Sequence, residues 1–414
     1  MCSSDLTYAL IQNFSRLTNQ NAGTASAQLP NLPPRSAKAA LIAFDQMEGS
    51  RLVMAHVAPL LQSRDPELRR AALWVFARHP DWAPGVRDFL KARLRADKWD
   101  AGEDDLLRET LLNFAADPDV QSVVAVALNT PELKEDHRAF LLDVLERSPL
   151  KKFPDAWNQV LGALLEGQSQ GLRLRTLALV RTRGLAEFDP LLRRFAAAPA
   201  EAKTIRLGAV GALASRTTPL ATNHFAFLCE TFAGKDYAAC SAAAQLLGRS
   251  KLSEAQHVTL AESTVAAADG VTLLALIEAY RGGKSEAAGK AFVAALEANK
   301  SAAEVLSATQ LGELLASYPE AVRASAKALL DTIALRQAER IKRLAEMESL
   351  LAGGDVGRGR ALFYSQKSQC AACHAIGKEG GTLGPDLTSI GSIRSGRDIL
   401  EAIVFPNASF VPEI

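Results

Sequence analysis

Three stretches spaced 33 residues apart decide the fold: LRTLALVRTR at Leu174–Arg183, LGAVGALASR at Leu207–Arg216 and CSAAAQLLGR at Cys240–Arg249. Each has the three- and four-residue apolar spacing of an amphipathic helix and ends on arginine. A repeat of this length is typical of stacked helix pairs, and no single pair can bury its apolar face alone. The sequence therefore predicts an all-α solenoid.

Aligning the three stretches on their arginines predicts two sets of equivalent core positions, because residues that recur at the repeat length occupy the same place in successive helices. The positions are Leu174, Leu207 and Cys240 in one set, and Val180, Leu213 and Leu246 in the other. We expect all six side chains to pack between neighbouring helices.

Helical periodicity extends over residues 37–351, which we predict to be the repeat region. A helix is expected over Pro66–Arg78, because Asp65-Pro66 is a typical helix start. These alanine-rich, degenerate repeats resemble HEAT repeats. The polar, proline-containing residues 1–36 are expected to form an N-terminal segment and linker, and Gly353-Gly354-Asp355 ends the pattern before a domain at 352–414.

Composition excludes several classes of function. Lys plus Arg total 47 and Asp plus Glu total 46, so no bulk positive field favours nucleic acid. No run of residues is apolar enough for a transmembrane segment. The five cysteines do not form a disulfide framework, and we expect Cys229 and Cys240 to be free thiols that act as small hydrophobic side chains.

One motif carries chemistry: Cys370-Ala371-Ala372-Cys373-His374. Two thiols three positions apart can form thioethers to the two vinyl groups of one haem, and the adjacent histidine then reaches the iron. The motif predicts one covalently bound c-type haem, attached through Cys370 and Cys373 and ligated by His374.

A structural zinc site and a thiol redox pair also use two cysteines at this spacing. A structural zinc site needs a third and a fourth ligand, but no other Cys or His lies beyond residue 351. A thioredoxin-like thiol pair would lie between a strand and a helix, whereas a helical segment and a glycine-rich loop flank these cysteines. Both remain less favoured alternatives.

The flanking residues resemble a class I cytochrome c domain. Gly357–Phe363 is similar to its first helix, and Ser395–Val404 is predicted to be a later helix with Ser395 as N-cap. The resemblance implies that the carbonyl of Pro385 accepts the Nδ1–H of His374, which would fix the tautomer of the ligand.

The combination is closest to the haem-binding domains at the C-termini of large dehydrogenase-like proteins of planctomycetes and verrucomicrobia. In that family a β-propeller precedes helical repeats, and this chain resembles only the repeats and the cytochrome. Four segments carry the resemblance: Gly359–Phe363, Cys370–His374, Gly384–Thr388 and Ile399–Pro406.

The distal side of the haem is where the sequence departs from that family, since no Met or His follows His374. Met347, on the preceding helix, is a candidate distal ligand. The simpler expectation is that the domain is truncated before its ligand, and a five-coordinate haem is the second.

The location follows from the chemistry. Haem attachment to this motif occurs outside the cytoplasm in bacteria, yet Met1–Leu6 does not begin a secretory signal. We therefore expect a periplasmic or otherwise extracytoplasmic protein whose gene begins upstream.

The predicted function is electron transfer, with a redox partner protein or a dehydrogenase domain as donor. The alternative is a protein-interaction scaffold whose haem domain is a sensor or a vestige. No catalytic constellation is evident, and Gly282–Ser285 is predicted to be a turn rather than a phosphate loop. The remaining histidines lie singly in the repeats, where packing or surface roles are expected.

Overall fold

The computed structural model describes residues 26–47, 52–95, 104–216, 218–382 and 384–405. These residues form an all-α, solenoid-like structure, and the two strands among them are two residues long each. The predicted fold class is confirmed at this level. Most of the predicted N-terminal segment, residues 1–25, and the last residues, 406–414, lie outside the described residues.

The chain divides into two compact units between Ala212 and Leu213. The helices that begin in the first unit are α1 Pro34–Gln46, α2 Met54–Val57, α3 Pro66–Ala77, α4 Ala83–Arg95, α5 Asp104–Asn113, α6 Pro118–Asn129, α7 Glu135–Arg147, α8 Asp155–Glu166, α9 Gln170–Arg183, α10 Asp189–Ala197 and α11 Lys203–Ala214.

The second unit contains the remaining helices and both strands. Its elements are α12 Thr222–Phe232, α13 Tyr237–Arg249, α14 Glu254–Ser263, α15 Gly270–Leu276, α16 Glu286–Ala298, α17 Ala302–Val305, α18 Ala308–Leu315, α19 Glu320–Ser325, α20 Lys327–Met347, α21 Val356–Phe363, α22 Cys370–Cys373, β1 Ala375–Ile376, β2 Glu379–Gly380, α23 Ile390–Ile393 and α24 Gly396–Val404.

Short 3-10 helices connect several of these elements. They are Leu29–Asn31, Ala58–Gln62, Pro80–Trp82, Ala186–Phe188, Val265–Ala267, Ile277–Tyr280 and Glu348–Leu351. No helix of the described ranges combines the length and the apolar character needed to cross a bilayer.

Most of the longer helices of the first unit pack on the next helix but one. Helices α1, α3, α5, α7 and α9 form one layer in chain order, and α4, α6 and α8 form the other, with α8 also packed on α9. Neighbour-to-neighbour stacking of this kind is what the repeat sequence predicts.

The second unit repeats the arrangement. Helices α12, α14 and α16 form one layer, and α13, α15 and α17 form the other. Helices α13 and α15 approach closely at Gly248, where a Cβ atom would collide with the carbonyl oxygen of Ala275. The interhelical spacing here therefore depends on the absence of a side chain.

Side-chain caps set where many helices begin. Asp65 accepts a hydrogen bond from the Leu68 amide (2.9 Å), which confirms the predicted start of α3. Ser169 caps α9, and Asp236 caps α13, in the same way. Each cap satisfies a backbone N–H that has no partner within the helix.

The predicted core positions are right at Val180, Leu207 and Leu213, but they fail at Leu174 in the first repeat and at both positions of the third. Val180 and Leu213 are buried, as predicted, but Leu246 is half-buried, and the core position of α13 is Leu247. Leu174 and Cys240 are half-buried as well, whereas Leu207 is buried. The spacing from α11 to α13 is therefore 34 residues rather than 33, and one residue rotates a helical position by about 100°.

The arginines that end the repeats differ in their contacts because of this one-residue shift. Arg183 donates a hydrogen bond to the Ser148 carbonyl (2.9 Å), with a second, shorter one to Leu150, and its guanidinium lies over the ring of Phe153. Arg249 is exposed to solvent. The arginine alignment that set the predicted register therefore does not mark equivalent contacts.

We predict that Gly248→Ala destabilises the second unit, because the added methyl forces α13 away from α15 at a cost of about 1–3 kcal/mol. Gly312→Ala is the matched control, since nothing lies within 4 Å of the Cβ position of this exposed residue of α18. The control should gain up to about 1 kcal/mol from helix propensity. Thermal unfolding followed by circular dichroism measures both, and an unchanged melting temperature for Gly248→Ala would refute the close approach.

Candidate functional site

The cysteine motif lies in the segment that follows the long helix α20. The chain turns at Gly353, whose φ of 80° lies in the left-handed region, and Asp355 then caps α21 by accepting a hydrogen bond from the Arg358 amide (2.7 Å). Helix α24 packs against α20 and the Glu348–Leu351 turn. The segment is thereby attached to the repeat region of its own unit.

Cys370 and Cys373 occupy a single helical turn, α22. Gln369 before it has a φ of 55°, the one non-glycine residue of the described chain in the left-handed region, and the His374 amide closes the turn on the Cys370 carbonyl (2.9 Å). Residues three apart in a helical turn face the same side. Both thiols are free, with Cys370 half-buried and Cys373 exposed.

The imidazole of His374 has a defined hydrogen bond. Its Nδ1 atom lies 2.9 Å from the carbonyl oxygen of Pro385. A carbonyl oxygen only accepts, so Nδ1 carries the proton and the lone pair of the neutral ring is on Nε2. This is the contact that the resemblance implies, and it prepares Nε2 to bind a metal ion.

The loop that supplies Pro385 is tied back to the motif by its backbone, because three amides of residues 381–387 donate to carbonyls of the motif and of β1. The pairs are Gly381 to Ala371 (2.9 Å), Gly384 to Cys373 (2.7 Å) and Leu387 to Ala375 (2.8 Å). The position of the Pro385 carbonyl is therefore fixed relative to the cysteine turn.

Gly384 lies directly against the His374 ring. A Cβ atom at this position would stand 2.6 Å from Cε1 and 2.7 Å from Nδ1 of the imidazole. At Gly381 a Cβ atom would collide with the Ala372 carbonyl oxygen. Neither position leaves room for a side chain, because the motif lies directly against the backbone of this loop. From the sequence, Gly381 was recognisable only as part of a glycine-rich loop.

A second set of hydrogen bonds holds the end of this loop. Thr388 Oγ1 accepts from the Gly377 amide (2.7 Å), and Asp386 accepts from the hydroxyl and the amide of Thr388. Because both hydrogen bonds from Thr388 stabilise the charged carboxylate, they lower the pKa of the Asp386 carboxyl. The loop thus keeps its shape without a hydrophobic core.

No described residue between 352 and 405 is buried, in contrast to the repeat region. Large apolar side chains stay accessible, namely Val356, Leu362, Ile376, Ile393 and Ile403. Helices that carry apolar residues without burying them lack the core that ordinarily stabilises a domain of this size.

A metal held by protein side chains alone and a haem make different demands on the donor set. Among the described residues no three His, Cys, Asp or Glu side chains converge on a common point. A four-ligand zinc site needs such a convergence, whereas haem iron receives four ligands from the porphyrin and needs one histidine from this side.

The remaining predicted sites have structural roles where their contacts are described. The Gly282–Ser285 stretch is a turn whose Ser285 caps α16, as predicted. Cys229 and Cys240 are half-buried rather than buried, and burial raises the pKa of the Cys229 thiol. Met347, the candidate distal ligand, is half-buried at the end of α20.

The single histidines of the repeats also find local partners. His79 Nε2 lies 2.8 Å from the Asp45 carboxylate, and the two ring nitrogens of His257 face the carbonyls of Ser253 and Ala279. These contacts agree with the packing roles expected from the sequence.

Comparison with known proteins does not identify a family. No family model matches the chain, and no curated protein matches it. Among solved structures, the complex of CpcE and CpcF of phycocyanin lyase from Nostoc sp. PCC7120 is similar over 62% of this chain and 97% of that chain, at 20% sequence identity and a TM-score of 0.30. So low a TM-score does not establish a shared fold.

We predict that Gly384→Ala displaces the His374 ring and breaks its bond to Pro385. The expected result is loss of the fixed Nδ1–H tautomer, which nitrogen-15 NMR of labelled histidine detects once the signal is assigned with His374→Gln. Gly391→Ala, with nothing within 4 Å of its Cβ position, is the control and should leave the signal unchanged. An unaltered His374 signal in Gly384→Ala would contradict the geometry.

Proposed function

We propose that this chain is the c-type haem module of an electron-transfer system. It would combine HEAT-like repeats with a cytochrome c-like domain that holds one covalently attached haem. The observation that carries the proposal is the 2.9 Å contact between His374 Nδ1 and the Pro385 carbonyl, directly after a turn that presents two free thiols. Ligand, orienting group and attachment points stand together in one short segment.

Attachment of the haem would use Cys370 and Cys373. Each thiol adds its S–H across a vinyl group, so nothing leaves and no oxidant is consumed. Both thiols must be reduced for this reaction, and both are free in the structure. The single helical turn of α22 keeps the two sulfur atoms on one side, as two attachment points on one planar group require.

His374 would bind the iron through Nε2. The Pro385 carbonyl orients the ring and raises the basicity of the ligand, which stabilises the ferric state relative to the ferrous state. The haem, when bound, supplies an iron that exchanges one electron. Pro385 acts through its backbone oxygen, so its side chain is less important than the position of the loop.

Two further parts of the proposal rest on the resemblance of the sequence to dehydrogenase-associated cytochromes. The electron donor would be a dehydrogenase domain or a separate redox partner. The location would be periplasmic or otherwise extracytoplasmic, where such haems are attached. The repeat region would then connect the haem segment to other parts of the assembly.

A reduced pyridine haemochrome spectrum tests the proposal on protein exported together with haem-maturation machinery. After acid-acetone extraction, the wild-type protein should keep a c-type band because the thioether bonds survive. Cys370→Ala combined with Cys373→Ala should lose it, and Cys229→Ala combined with Cys240→Ala should keep it. If folded wild-type protein lacks the band, the proposal is wrong for this chain.

The spectrum of the loaded protein also separates electron transfer from sensing. A reversible one-electron couple supports transfer. Binding of carbon monoxide or nitric oxide at an open position, without a reversible couple, would instead favour the alternative in which the repeats are a scaffold and the haem is a sensor.

A further inference from the structure

A cleft in the first unit lies far along the sequence from the haem segment and has no part in the proposed function. It has a volume of about 660 Å³ and is bordered by α4, α6, the residues between α6 and α7, and the start of α7. This volume lies within the range of sites that hold small molecules or short stretches of peptide.

Basic side chains border the cleft along α4. Arg87, Lys91 and Arg95 are four residues apart, so they lie on one face of the helix and cover about 12 Å of its length. Arg87 is neutralised at one end by Asp119 of α6, at 3.0 Å. Lys91 and Arg95 are exposed and form no ion pair within the described residues.

The opposite rim adds one lysine and one acidic residue, Lys134 and Glu132. Burial lowers the pKa of His137, and the charge of Lys134 acts in the same direction, against the nearby carboxylates of Asp136 and Asp104. Among the described residues that border the cleft, Lys91 and Arg95 of α4 are thus the basic side chains on which an acidic ligand would dock. Their net field attracts an anionic ligand.

The floor of the cleft is apolar. Leu94, Val123 and Leu133 are buried beneath it, but Val126 on α6 is 53% exposed within it. An inorganic anion would leave that surface in water, whereas a ligand with an apolar side chain between acidic ones would cover it. An exposed apolar side chain beside basic ones therefore favours a peptide that carries both apolar and acidic side chains.

The wall formed by residues 130–134 is held in place. Arg138 donates to the carbonyls of Thr130 (2.6 Å) and Pro131 (3.1 Å), and the Thr130 hydroxyl donates to the Val126 carbonyl (2.7 Å). A wall fixed in this way loses little freedom when a ligand binds.

We infer that this cleft is a docking site for an acidic peptide segment of a partner protein, with glutamate or aspartate side chains at Lys91 and Arg95 and an apolar side chain on Val126. The groove between α4 and α6 receives the peptide in an extended form. Because charges on the rim are exposed, the interaction weakens as salt is added.

Fluorescence anisotropy with a labelled, capped peptide that alternates glutamate and leucine tests the inference on the full chain. Wild-type protein should bind it, and Lys91→Gln combined with Arg95→Gln should bind about tenfold more weakly, as expected for the loss of two exposed charge contacts. Lys251→Gln combined with Lys300→Gln removes the same charge from exposed positions of the second unit and should bind as the wild type does. Circular dichroism checks that every variant is folded.

Two further probes separate the possible occupants. Val126→Asp should abolish binding of the peptide, and a peptide with serine in place of leucine should bind more weakly. If inorganic phosphate competes as well as the peptide does, the cleft is a small-anion site and the inference is overturned. Equal affinity of the wild type and the Lys91/Arg95 variant would overturn it as well.

Discussion

The repeat region depends on one constraint, that its helices are too short to bury their apolar faces alone. Most have nine to fourteen residues, a length at which an isolated helix is marginal in water. Each is stabilised by packing on the next helix but one, as α9 is on α7. Stability therefore accumulates by neighbour contacts, and a close approach such as that of Gly248 to Ala275 affects a whole interface.

The haem segment obeys a different rule. Its described residues bury nothing, and hydrogen bonds rather than apolar packing hold its loops, as between Gly384 and Cys373. Under the proposed function, a bound haem would add the apolar surface that the described residues of this segment do not supply. Covalent attachment suits it, because thioethers at Cys370 and Cys373 would retain a cofactor that the protein cannot enclose by packing alone.

The two regions also differ in how they would meet partners. The segment at residues 352–405 has exposed apolar side chains such as Ile403, whereas the cleft beside Lys91 has exposed basic side chains and the half-exposed Val126. Separate surfaces would let one chain recognise a partner at one place and exchange electrons at another. Charge on the rim would speed encounter more than it would strengthen the complex.

The sequence by itself determined the helical class, the starts of helices at Asp65 and Ser395, and the motif at Cys370–His374, because each depends on residues within a turn or two of one another. Only the tertiary structure decided the register of α13 and the open cleft beside α4, and it alone gives the geometry of the contact between His374 and Pro385, which the family resemblance implied. The buried face of a helix is chosen by its neighbours, and a single residue of slip is invisible to periodicity. The imidazole contact joins residues eleven positions apart, so it exists only when the intervening loop has folded back.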